Sequence, residues 1–169
     1  MMNKAELVAK FLRIFLVVIS ATLCLSLLSA CATQPGVGAT ETALRRLYGE
    51  PALAIRLDSG ARWFYTSGPL GLTTYAVDMN KDGIAERVQN VLTDTMLEKI
   101  GAGITAEAVL ASIGPPYRQV RFNNLNVTAW DYRYRDTWGY TVEFSVMVDD
   151  KYGVTSKASR RIDAFRNEH

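Results

Sequence analysis

Apolar and polar residues alternate most strictly between Tyr140 and Val148, where Tyr140, Val142, Phe144, Val146 and Val148 are separated by Thr141, Glu143, Ser145 and Met147. A period of two places one set on a buried face and the other on a wetter face, which predicts a strand. The segment before it places Thr128, Trp130, Tyr132 and Tyr134 on one side and Asp131, Arg133 and Arg135 on the other, so the two strands can share one apolar surface. Residues 93–100 and 105–113 read as the helices that cover it. Each opens on a threonine able to cap free amides, and Gly101-Ala102-Gly103 joins them.

The same order of signals occurs twice. Ala43-Leu44-Arg45-Arg46-Leu47-Tyr48 reads as a short helix stopped by Gly49-Glu50-Pro51, and Val109-Leu110-Ala111-Ser112-Ile113 is stopped by Gly114-Pro115-Pro116. Glycine accepts the left-handed conformation that closes a helix, and proline cannot continue one. A short strand follows each stop, with arginine at the same offset, Arg56 and Arg121. An aromatic strand comes next, Trp63-Phe64-Tyr65 and then Trp130-Asp131-Tyr132. Each series ends in a third strand, a glycine-containing turn at 80–83 or 149–153, and a fourth short strand. The predicted fold class is α+β, with two tandem units of helix plus antiparallel meander, helices packed on one sheet face. The first unit spans 41–91 and lacks the opening helix of the pair that the second has; the second spans 92–157, followed by a polar tail over 158–169.

The first 30 residues have a different pattern. Lys4, Lys10 and Arg13 stand against Glu6 and precede an apolar run over 14–28. Fifteen residues fall short of the roughly 20 that a helix needs to cross a bilayer, whereas basic residues ahead of such a run suit an export signal. Leu28-Ser29-Ala30-Cys31 resembles the lipobox of bacterial lipoproteins, in which a diacylglycerol is joined to the cysteine and the chain is cut before it. This likeness makes 1–30 a signal peptide and Cys31 the lipid attachment site. Residues 31–40, with Gln34-Pro35-Gly36-Val37-Gly38, form a flexible tether. Ala32 after the cysteine implies sorting to the outer membrane, by the preference known for such lipoproteins.

Composition reads differently once the leader is set aside. It holds three of the 19 basic residues and one of the 17 acidic ones, leaving sixteen of each. The pI of 8.6 is thus largely a property of the leader, and no basic field of the sort nucleic acid requires is expected. Cys24 leaves with the leader and Cys31 is consumed by lipid, so the fold stands without disulfides. The lone histidine, His169, is the last residue. No histidine triad or ordinary histidine metal site can form within the fold, and no catalytic residue, metal or cofactor is expected.

Two acidic motifs have simpler uses than chemistry. Asp78-Met79-Asn80-Lys81-Asp82-Gly83 fits the first half of a calcium loop, but Gln89 stands where the loop needs a bidentate glutamate and both flanks read as strands, which favours a hairpin. Asp149 and Asp150 read as turn formers. The basic stretch over 157–166 is expected either as a solvated tail or as a contact to anionic lipid headgroups. Phe122 and Leu125 in one loop and Trp138 in another are the candidate partner contacts, because apolar side chains clustered in loops often mark a contact surface.

Residues 100–116, from Ile100-Gly101-Ala102-Gly103 to Gly114-Pro115-Pro116, with Trp130-Asp131-Tyr132-Arg133-Tyr134, resemble the BamE (SmpA/OmlA) family of outer-membrane lipoproteins. That family has a Gly-Met-Thr type turn, a Leu-Gly-x-Pro type stop and a Trp-x-Tyr type strand. The resemblance implies a lipid-anchored, non-enzymatic periplasmic accessory protein that supports β-barrel assembly or envelope integrity, with the barrel-assembly machinery as partner. It departs from the family in carrying two units where the typical member has one. Tandem units of this shape also resemble β-lactamase inhibitor proteins, whose concave sheet grips an enzyme. That alternative would use Tyr117, Trp130, Tyr132 and Tyr134 as exposed aromatics.

Overall fold

The computed structural model describes residues 35–67 and 71–162. Cys31, the lipobox residues Leu28, Ser29 and Ala30, Cys24 and His169 lie outside the described residues. The order is α1 (Glu41–Tyr48), β1 (Leu53–Leu57), β2 (Gly60–Ser67), β3 (Thr73–Asn80) and β4 (Ala85–Asn90), then α2 (Asp94–Glu98), α3 (Ala106–Ile113), β5 (Arg118–Phe122), β6 (Val127–Arg135), β7 (Thr141–Asp149) and β8 (Gly153–Arg161). The strands form two four-stranded sheets, ordered β1-β2-β3-β4 and β5-β6-β7-β8, antiparallel throughout. The fold is α+β, built from two similar sheet-and-helix units in tandem.

Local chemistry sets the helix ends. Thr40, Thr93 and Thr105 each accept a hydrogen bond from the amide three residues on, at Ala43, Met96 and Ala108, satisfying donors that the first turn leaves free. Gly49 and Gly114 close α1 and α3 in the same way. Both have φ +78°, and their amides donate to Arg45 O and Leu110 O at 2.9 Å.

The register of β6 against β7 pairs Trp130 with Val146, Tyr132 with Phe144 and Tyr134 with Val142, so the alternating apolar residues meet on one face. Leu97, Ile100, Val109 and Ile113 cover them, making the core of the second unit. In the first unit Trp63, Phe64 and Tyr65 are buried in succession, which requires cover on both faces of the sheet. Trp63 and Tyr65 pack with Leu44 and Tyr48 of α1, while Phe64 packs with Ala76 and Val91. On Phe64's side Arg62 Nη1 donates to Ala111 O of α3 at 3.0 Å. Helix α3 thus serves the core of its own sheet and contacts the first sheet as well.

Two boundaries differ from expectation. The tether expected over 31–40 is already part of the fold from Gly38: Gly38 N donates to Ala85 O, Ala85 N to Ala39 O, and Thr40 forms a bridge with Ile84. The polar tail expected from 158 is strand as far as Arg161, because β7 needs a partner along its length and pairs with β8 from Val142↔Arg161 onward.

Candidate functional site

The face of the second sheet turned away from the helices carries the densest polar network among the described residues. Asp131 on β6 and Glu143 on β7 are only 3% and 8% exposed, although they lie on the face without helices. Long side chains cover them. Arg118 Nε donates to Asp131 Oδ2 at 2.7 Å and Ser145 Oγ to Asp131 Oδ1 at 2.6 Å. Tyr117 Oη donates to Glu143 Oε2 at 2.5 Å and Arg160 Nη2 to Glu143 Oε1 at 2.9 Å. The Tyr117 hydroxyl is the largest influence holding the Glu143 carboxyl below the usual range; burial opposes it and Arg160 reinforces it.

Arg133 completes this cluster and is the least committed cation in it. Directly opposite Glu143 in register, it makes a 3.8 Å ion pair with that carboxylate, and its guanidinium lies 4.3 Å from the centre of the Tyr117 ring. Its buried Nε has no hydrogen-bond partner. Three arginines therefore surround two carboxylates, leaving one positive charge in excess. Along the same face β5 adds Val120 and Phe122, both partly exposed beside the charged region. A surface with one positive charge in excess at one end and apolar side chains at the other suits contact with a partner that is acidic and apolar in the matching order.

The candidate contact residues fall into two places. Phe122 closes β5, and Leu125, 62% exposed, sits in the β5–β6 turn. Trp138, 79% exposed, sits in the β6–β7 turn, at the other end of nine-residue β6 and hence on the order of 27 Å away. Phe122 and Leu125 border the apolar end of the outer face. Trp138 instead lines a cavity of about 360 Å³ with Asp136, Arg160 and Arg161. Three of the four aromatics of the inhibitor alternative, Trp130, Tyr132 and Tyr134, are buried beneath the helices, leaving Tyr117 alone on the outer face.

Among the described residues of the basic stretch, Lys157, Arg160 and Arg161 are engaged within the fold. Lys157 Nζ donates to Glu98 O at 2.8 Å and Leu97 O at 3.3 Å at the end of α2, Arg160 bonds Glu143, and Arg161 pairs with Asp136 at 3.0 Å. Asp94, first residue of α2, accepts from Tyr134 Oη at 2.7 Å and from Thr137 N and Oγ1 at 3.0 and 2.9 Å. These bonds, Tyr134 foremost, hold its pKa below the usual range.

In the 78–83 motif Asp78 is occupied by Arg62 and Arg87, and Asn80 Oδ1 accepts from Asp82 N and Ile84 N at 3.0 Å. The motif is a hairpin turn. Among the described residues no group of three or more His, Cys, Asp or Glu is placed to hold a metal ion.

The outer-face network was half visible in the sequence. Alternation set Asp131, Arg133 and Arg135 apart from the aromatics, but only the register brings Glu143 opposite Arg133 and Arg118 opposite Asp131.

No protein-family model matches the chain, and no curated protein sequence matches it. Among solved structures, a DUF4309 family protein (YjgB) from Bacillus subtilis aligns over 73% of this chain and 79% of that one, at 15% identity and a TM-score of 0.29. So slight a likeness carries neither fold nor function, and the resemblance to the BamE family rests on the motifs of residues 100–134.

Proposed function

We propose that this chain is a non-enzymatic lipoprotein of the bacterial outer membrane, anchored through Cys31 and facing the periplasm. There it acts as an accessory scaffold for β-barrel assembly or envelope integrity. The observation that carries the reading is Leu28-Ser29-Ala30-Cys31 standing seven residues ahead of Gly38, the first of the described residues hydrogen-bonded into the sheet. The outer face of the second sheet supports the scaffold role, because its excess positive charge and apolar border suit protein contact.

The reading is tested by crosslinking the lipidated protein in its native membrane and identifying bound proteins by mass spectrometry. Barrel-assembly subunits are expected, with their yield reduced by Arg133→Ala combined with Phe122→Ser. A reproducible but different partner would remove the barrel-assembly assignment. Fractionation tests the anchor separately: Cys31→Ala removes the lipid site and the cut that follows lipidation, so the protein should be lost from the outer membrane, and its normal fractionation there would sink the anchoring claim.

A further inference from the structure

The chain enters the first sheet at the end that carries two of its turns. Gly38 N donates to Ala85 O at 2.8 Å, Glu41 N donates to Gly83 O at 2.9 Å, and Thr40 bridges Ile84. Because β1 to β4 form a meander, Leu57 faces Gly60 and Gly60 faces Asn80, so the turns at 58–59 and 81–84 lie at this same end. The link to the second unit, Val91 and Leu92, leaves from the far end of β4, six residues of strand or about 20 Å away.

Cys31 lies seven residues before Gly38. Fully extended, seven residues span at most about 25 Å. A lipid on Cys31 would therefore keep the entry end of the first sheet within reach of the headgroup layer, which is roughly 5–7 Å deep on each side of the hydrocarbon.

The surface at this end fits that position by apolar contact. Val37, in the turn just before Gly38, is 70% exposed, and Ile84, which bridges Thr40, is 38% exposed. Of the exposed charges on the two turns and beside them, Arg56 and Lys81 stand against Glu41, Asp58 and Asp82, so the end offers no net positive charge for attraction to anionic lipid.

We propose that the end of the first sheet bearing Val37, Ile84 and the turns at 58–59 and 81–84 is a membrane-contacting surface that rests on the headgroup region of the bilayer. The occupant is a lipid surface, held by the Cys31 anchor and by apolar insertion of Val37 and Ile84, with little dependence on salt. This inference rests on the lipidation reading of Cys31.

The test uses the full lipidated protein in phosphatidylcholine vesicles containing spin-labelled lipid. Lipidation of Cys31 and loss of Cys24 with the leader leave no other thiol, so single cysteines can carry a fluorophore at Lys81→Cys, on the entry end, or at Ala52→Cys, on the far end just before β1. Spin-labelled lipid is expected to quench the label at 81 and not the label at 52. The difference should persist in high salt and diminish with Val37→Ser plus Ile84→Ser. Equal quenching at both positions in protein that floats with the vesicles, or loss of the difference in high salt, overturns the proposed surface. Protein that does not float and carries no lipid on Cys31 by mass overturns the anchoring reading itself.

Discussion

Single polar atoms at two places make opposite demands on this fold. The Tyr65 hydroxyl is buried without a hydrogen-bond partner, its ring 5.7 Å from that of Tyr48. Burial pushes its pKa above the ordinary tyrosine value, against the opposing charge of Arg45. A buried hydroxyl left unpaired costs about 1–3 kcal/mol. Tyr65→Phe keeps the ring and removes the hydroxyl, so the unfolding free energy in urea is expected to rise by about 1 kcal/mol. A fall would mean that the hydroxyl is satisfied in solution. Carboxylates on the two sheets behave in the contrary way. Burial alone would raise the Asp78 pKa, but hydrogen bonds and charge from Arg62 and Arg87 outweigh it and hold it low; Glu143 is held low by Tyr117 first. Groups whose folded pKa is depressed contribute stability that is complete above their unfolded values, 3.8 and 4.5 here, and that is lost as pH falls through the folded values. The thermal midpoint should therefore be flat above about pH 5.5 and drop below about pH 4.5. Glu143→Gln should lower the midpoint at pH 7 and flatten the acid limb, and an unchanged limb would show that Glu143 contributes nothing to it.

The two helix stops look equivalent in sequence and have different neighbours. Gly49 and Gly114 share φ +78° and the same closing hydrogen bond, yet a Cβ on Gly49 would meet nothing within 4 Å, whereas one on Gly114 would lie 2.8 Å from Phe64 Cδ1. Gly49→Ala should cost about 1–3 kcal/mol from the backbone alone, because φ +78° with ψ −159° is a conformation essentially restricted to glycine. Gly114→Ala should cost a further 1–3 kcal/mol or so, from overpacking against a ring with no room to move. Equal costs in chemical denaturation would show that Phe64 gives way. This pair also marks what the sequence could convey. Caps, stops and the strand over 141–149 are local signals, carried by Thr93, Thr105, Gly114 and the alternation around Phe144, and they can be read without knowing the fold. The extent of β8 is not local: beyond Val154 its residues are exposed, so no apolar period marks 155–161, and only pairing with β7 defines it. The Arg133–Glu143 pairing was hidden for the same reason, since it depends on which residue of β7 faces which residue of β6.

Across the whole molecule, one short segment ties the two sheets together. Gly114 closes α3, its carbonyl accepts from the buried Tyr132 hydroxyl at 3.1 Å, and its missing side chain makes room for Phe64 of the first sheet. Three residues earlier Ala111 O accepts from Arg62. Neither sheet's packing is complete without this segment: Phe64, fully buried, lies against it from one side and Tyr132 from the other. Two units that share a buried contact of this kind should lose structure together, because opening either one exposes apolar surface of both. The mature chain carrying Cys31→Ala is accordingly expected to unfold in a single calorimetric transition, with calorimetric and van't Hoff enthalpies in agreement. Phe64→Ala removes a buried ring at the junction, a change that costs about 3–5 kcal/mol in well-packed cores. If the units are coupled, it should lower the midpoint of the entire transition, as seen both by Trp130 fluorescence in the second unit and by calorimetry. If they are merely strung together, calorimetry would resolve an early transition for the first unit while fluorescence from the second held its original midpoint. That second outcome would make the two repeated units independent domains on one chain. A partner bound to the outer face of the second sheet would then feel nothing of changes in the first.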